Sequence, residues 1–143
     1  MRESGPHLSL EVTEKEQVSP MFPLVLLLLL SQQPVLPVAE GEASYYTVQS
    51  SSAVTASGER MRDDSLTCAM PDGEFGTYYL VVAENGNSVV CRLNDRGPYV
   101  KERVIDLSEA AMRALHHQAG TLRVQVYDLG KELPPEIRSL QRR

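Results

Sequence analysis

Between residues 45 and 130 apolar and polar positions alternate in short runs separated by turn residues, the pattern of strands half-buried on one face. The strongest case is TYYLVVAENGNSVVCRL at 77–93, which reads as a hairpin. Asn85-Gly86 supplies its tight turn, because both residues accept the positive φ that a two-residue connection asks for. On the second arm Val89, Cys91 and Leu93 share one face while Val90 and Arg92 share the other, so Cys91 is expected to point inward. RVIDL at 103–107 is a further strand. Ser108 then stands as the N-cap of a helix over EAAMRALHHQ, which Gly120 ends. TLRVQVYDL at 121–129 sets Leu122, Val124 and Val126 against Thr121, Arg123 and Gln125, giving a last half-buried strand. Short strands interrupted by one short helix predict a mostly β fold closed as a small barrel, not an open βαβ sheet.

The segment before this pattern behaves differently. From Met21 the chain reads MFPLVLLLLLSQQPVLPVAEGEAS, whose apolar run is shorter than the ~20 residues of a membrane-spanning helix. Prolines at 23, 34 and 37 argue against a buried core helix. A secretory signal is the expectation, with Gly41-Glu42-Ala43 offering small residues for cleavage before Ser44 and Ala39 a second possible site. Residues 1–20 are net acidic where a signal opens with positive charge, which leaves both Met1 and Met21 as candidate starts. The expected organisation is an extension and signal over 1–43, one domain over 44–130 and a solvated tail over 131–143. The domain is then exported, periplasmic or extracellular, with no stable transmembrane anchor. No cysteine stands near the cleavage region to carry a lipid.

Composition adds exclusions more than assignments. The net charge is −5, and without residues 1–39 the chain keeps 12 basic against 15 acidic residues. Such a balance lacks the clustered basic footprint of a nucleic-acid binder. It permits a neutral polymer as partner. The two cysteines, Cys68 and Cys91, both fall in the exported part, where an oxidising compartment favours a disulfide over two buried free thiols. No metal site is expected: His116 and His117 are adjacent and have no ligand-spaced companions. Nothing calls for a cofactor.

Several segments together carry a family resemblance. ASYY at 43–46, TASGER at 55–60, FGT at 75–77, NGNSVVCRLNDRGPYV at 85–100 and RVIDLSEAA at 103–111 occur in the order of the rare lipoprotein A (RlpA) family. Over roughly residues 43–127 the chain resembles the double-psi β-barrel domain shared by RlpA-type lytic transglycosylases and, more distantly, the expansins. The resemblance implies a six-stranded double-psi barrel with a polar groove that acts on peptidoglycan strands, above all naked glycan without stem peptides. It carries the family's acid onto Asp95 in NDRGP and a companion glutamate onto Glu59 in TASGE. Arg96 and Tyr99, beside that acid, are candidate substrate-binding residues, the tyrosine by stacking on a sugar ring. Asp106 in IDLS is expected to fix its loop instead of doing chemistry.

One departure from the family bears on activity. After TASGE the family reads like LTAAH followed by PFGT, whereas this chain reads LTCAMPDGEFGT, so Met70 stands where a histidine is expected. A thioether transfers no proton. The reading preferred here is a lytic transglycosylase with Asp95 as acid and base and Glu59 assisting. The alternative is a non-catalytic, expansin-like wall-binding or wall-loosening module using the same groove.

Overall fold

The computed structural model describes residues 34–141. The apolar run from Met21 lies outside them. Six strands close into a barrel: β1 (Ala39–Tyr46), β2 (Thr67–Ala69), β3 (Tyr78–Ala83), β4 (Ser88–Asp95), β5 (Arg103–Ser108) and β6 (Leu122–Gly130). Their order around the barrel is β1-β5-β2-β4-β3-β6. β1 runs parallel to β5 and β2 parallel to β4, while the other four pairings are antiparallel. This is the double-psi barrel the sequence led us to expect. Its interior is filled by the alternating residues of each strand, with Val81, Cys91, Leu93, Ile105, Leu107 and Val126 all fully buried.

The helix expected after Ser108 forms as α1 (Glu109–Leu115), and the Ser108 hydroxyl accepts a hydrogen bond from the Ala111 N–H at 3.2 Å. It stops before Gly120 because the Leu115 carbonyl is taken by the side-chain amides of Asn85 and Asn87, each at 2.9 Å. Arg113 folds over the same end, donating to the carbonyls of His116, His117 and Ala119 while covering the Tyr45 ring. The two asparagines fasten the β3–β4 hairpin to the helix. The turn itself differs from the expected two-residue connection. Only Gly86 takes a positive φ, and the Ala83 N–H donates to the Asn87 carbonyl across a four-residue loop.

The barrel begins before the expected boundary at residue 44. Ala39 to Ala43 pair with β6 from Val126 to Leu122, and the Val38 N–H donates to the Val126 carbonyl at 2.8 Å. Cleavage before Ser44 removes every β1 residue that closes the barrel on β6. Gly41 is required in this stretch, since a Cβ there would sit 2.7 Å from the Glu102 carbonyl and 2.8 Å from Val104 Cγ1. The tail from Lys131 is largely exposed, but it is anchored by buried Leu133, a short helix α2 (Pro135–Leu140) and a bond from Gln141 to the Val90 carbonyl.

The expected disulfide is absent. Cys68 and Cys91 are free thiols, both fully buried. They lie on adjacent strands but out of register, because Cys68 is opposite Leu93. The two side chains therefore lie diagonally to each other and fill the core as small apolar groups.

Candidate active site

A β-bulge delivers the principal acid. Alternation along β4 sends Val89, Cys91 and Leu93 inward and would send residue 95 after them. The register against β2 shifts instead: Cys68 is opposite Leu93, and the next residue, Ala69, is opposite Asp95. Asn94 is the extra residue, and its insertion turns Asp95 onto the outer face. There Asp95 Oδ1 accepts hydrogen bonds from the N–H groups of Ala56 and Arg96, both at 2.9 Å. Asp95 Oδ2 has no hydrogen-bond partner among the described residues.

Asp106 shares this face. Ile105 and Leu107 point into the core, so Asp106 points out, and it is the register neighbour of both Ala69 on β2 and Ser44 on β1. The Ser44 hydroxyl donates to Asp106 Oδ1. Ser44, Asp106, Ala69 and Asp95 thus form one row across four strands. The chain after Asp95 passes over that row, because a Cβ on Gly97 would lie 3.8 Å from Asp106 Oδ2. The sequence reading gave Asp106 a structural part, and only the pairing of β2 with both flanking strands brings it beside Asp95.

Glu59 comes from the loop that covers this face. Arg92 grips it with two bonds, Nη1 to Oε1 at 2.6 Å and Nη2 to Oε2 at 2.7 Å, and Asn94 Nδ2 adds a third at 3.3 Å. The Arg92 hydrogen bonds hold the Glu59 carboxyl below the usual carboxylate range against a smaller opposing effect of burial, with Asn94 helping. Glu59 is therefore a carboxylate with both oxygens engaged, and a poor proton donor. Arg92 and Asn94 were not singled out from the sequence, in which neither has a signature apart from its neighbours.

The remaining expected site residues fall into distinct places. Arg96 donates to the carbonyls of Asp72 at 3.0 Å and Gly73 at 2.6 Å and lies 4.1 Å over the Phe75 ring, which pins the 72–75 loop against the site. Tyr99 is 79% exposed, an open aromatic face at the end of the NDRGP turn. Cys68 and Cys91 are on the core side, away from the acids. Met70 is 4% exposed, belongs to the main core cluster and lines a cleft of about 350 Å³ with Asp72, Tyr79, Arg103, Val104 and Asp128. Neither Asp95 nor Asp106 borders that cleft. Among the described residues no group of three His, Cys, Asp or Glu side chains is placed to hold a metal ion, and no helix is long and apolar enough to cross a membrane.

Comparison with known proteins places this site in context. The lytic transglycolase family model matches residues 38–126, a span that contains Glu59, Asp95 and Asp106. The chain is similar to the probable endolytic peptidoglycan transglycosylase RlpA of Treponema pallidum, 44% identical over 92 residues that make up 63% of this chain and 29% of that protein. It is also similar to the endolytic peptidoglycan transglycosylase RlpA of Pseudomonas aeruginosa, 41% identical over 88 residues, 60% of this chain and 26% of that one. The chain spans less than a third of the length of these curated relatives. Among solved structures, the apo expansin of Clavibacter michiganensis shares the fold with a TM-score of 0.53 at 21% identity, over 67% of this chain and 52% of the expansin.

Proposed function

Because the chain belongs to the lytic transglycolase family, we propose that it is an endolytic peptidoglycan transglycosylase that cleaves the β-1,4 bonds of naked glycan strands to 1,6-anhydro products. Asp95 serves as both acid and base: it protonates the leaving glycosidic oxygen, then takes the proton from the sugar's own 6-hydroxyl as that oxygen closes the anhydro ring. No water enters the reaction. The observation that carries this reading is the bulge at Asn94, which turns Asp95 out of the core and leaves Oδ2 without a partner among the described residues while two main-chain N–H groups fix Oδ1. Tyr99 offers a ring for a sugar to stack on, and Arg96 keeps the neighbouring loop in place.

The protein acts outside the cytoplasm, in the periplasm or at the cell wall, after export on the apolar segment that precedes the barrel. Removal of that segment falls upstream of Val38, so that β1 stays whole. A second reading, a groove that holds wall glycan without cutting it, is favoured by Met70, which puts no proton-transferring group where the family has a histidine. One assay separates them. Peptide-free glycan strands are incubated with the protein and their ends identified by mass spectrometry. Anhydro ends support the transglycosylase; hydrolysed ends indicate a glycosidase; unchanged strands that retain the protein indicate the binding module.

A further inference from the structure

We infer that Arg92 and Asn94 are positioning residues, which hold Glu59 as a fixed strut so that the 55–59 turn delivers the Ala56 N–H to Asp95. This rests on the proposed role of Asp95 and gives Glu59 a part other than proton transfer. The turn is tied to β4 at three residues. Arg92 holds Glu59 by two bonds, the Asn94 carbonyl accepts from the Ser57 N–H at 3.1 Å, and Asp95 Oδ1 accepts from the Ala56 N–H at 2.9 Å. Within the turn, the Thr55 N–H donates to the Glu59 carbonyl at 2.8 Å and the Gly58 N–H to the Thr55 carbonyl at 2.9 Å. A displacement of Glu59 is therefore passed to Ala56, and from there to the acid.

Asn94 shows what this arrangement costs. Its side chain is 3% exposed, and Oδ1 is buried with no hydrogen-bond partner. Rotating the amide would not relieve this, since it would set Oδ1 against the Glu59 carboxylate in place of the N–H. An orphaned buried acceptor is unfavourable. It is kept at the residue whose insertion turns Asp95 outward, and it is kept in the orientation that serves Glu59. Both Glu59 oxygens accept from a donor, so protonating the carboxylate weakens a charge-assisted pair.

The test measures kcat and KM for anhydro-product formation on peptide-free strands. Glu59→Gln keeps an oxygen for Arg92 and is expected to retain kcat within about tenfold, because no proton transfer is lost. Glu59→Ala and Arg92→Ala are each expected to lower kcat by about 10²-fold with KM little changed, the effect of a displaced reacting group. The double variant should be no worse than either single one, and Arg92→Lys should recover part of the loss. If Glu59→Gln melts like the parent but is as inactive as Glu59→Ala, or if the double variant loses the sum of the two, the inference is overturned. An inactive parent overturns the transglycosylase reading instead. Hydrogen exchange at the Ala56 amide then decides the inference without activity: faster exchange in Arg92→Ala supports the strut, and unchanged protection overturns it.

Discussion

Asp95 on β4 and Asp106 on β5 are both register neighbours of Ala69, one on each side of the short strand β2. Two strand spacings separate their Cα atoms, roughly 9–10 Å, and the buried Ala69 side chain lies between them in that row. The two carboxylates are held differently. Asp95 Oδ1 accepts from two main-chain N–H groups, one of them on the 55–59 turn, while Asp106 Oδ1 accepts from the Ser44 hydroxyl. The barrel thus presents Asp95 as a rigid group and Asp106 as one tied to β1.

Asp95→Asn should separate chemistry from folding. The amide oxygen can take over both N–H bonds now made to Oδ1, so the melting temperature should stay within a few degrees of the parent's. The amide cannot cycle a proton, and anhydro-product formation should fall by at least ~10²–10⁴-fold. Glycan retention should persist. A variant that unfolds, losing ~2 kcal/mol or more, would show that Asp95 is chiefly a turn residue.

Met70→His tests whether the family's histidine position is a vacant catalytic place in this chain. Met70 is buried in the core cluster, and its cleft does not include either acid. An imidazole there buries polar nitrogens in the apolar core cluster beside Tyr79 or strains toward Asp72 and Asp128. The expected result is a loss of about 1–3 kcal/mol with no gain in turnover. Increased product formation at unchanged stability would place residue 70 in the reaction.

These cases mark what the chain made legible. Alternation found β3 to β6, the inward Cys91 and the N-cap at Ser108, because each is written in neighbouring residues. The family segments located Asp95 and Glu59. Period-two reading alone, however, carries Asp95 into the core, since the bulge at Asn94 exists only in the register between β2 and β4. Asp106 joins the site through strand pairings and Arg92 through its grip on a distant loop, neither of which a local pattern encodes. The pairing of the two cysteines was not legible for the same reason: they stand free on adjacent strands, two residues out of register.

Alkaline pH should destabilise the fold in two stages. Burial pushes the Cys68 thiol well above its ordinary value, with the Cys91 hydrogen bond adding to it, and burial likewise raises the Tyr46 and Tyr79 phenols. The folded chain therefore keeps these protons to higher pH than the unfolded chain. Stability from Cys68 is complete below the ordinary thiol value near 9, and is lost as pH rises from there toward the folded value. The two phenols follow above their ordinary value of 10. The melting temperature should fall from about pH 8.5 upward, and a Cys68→Ala variant should lose less of its own stability between about pH 8 and 10 than the parent does. Equal losses in the two proteins would remove Cys68 from this account.

The closing seam of the barrel limits where the proposed cleavage can fall. Ala39 to Ala43 supply the whole of the β1–β6 pairing, Val38 adds its N–H to Val126, and Ala43 is fully buried. At about 1 kcal/mol net per backbone hydrogen bond, losing this seam costs several kcal/mol. That is comparable with the roughly 5–15 kcal/mol that holds a domain folded. It also leaves β6 with an unpaired edge. A chain beginning at residue 35 should therefore melt cooperatively, and one beginning at Ser44 should fail to fold or should aggregate. Protein recovered from outside the cytoplasm should carry an N-terminus at or before Val38 when its intact mass is measured. A mature chain that starts at Ser44 and still melts cooperatively would mean that β1 closes on β6 without the residues that pair them here.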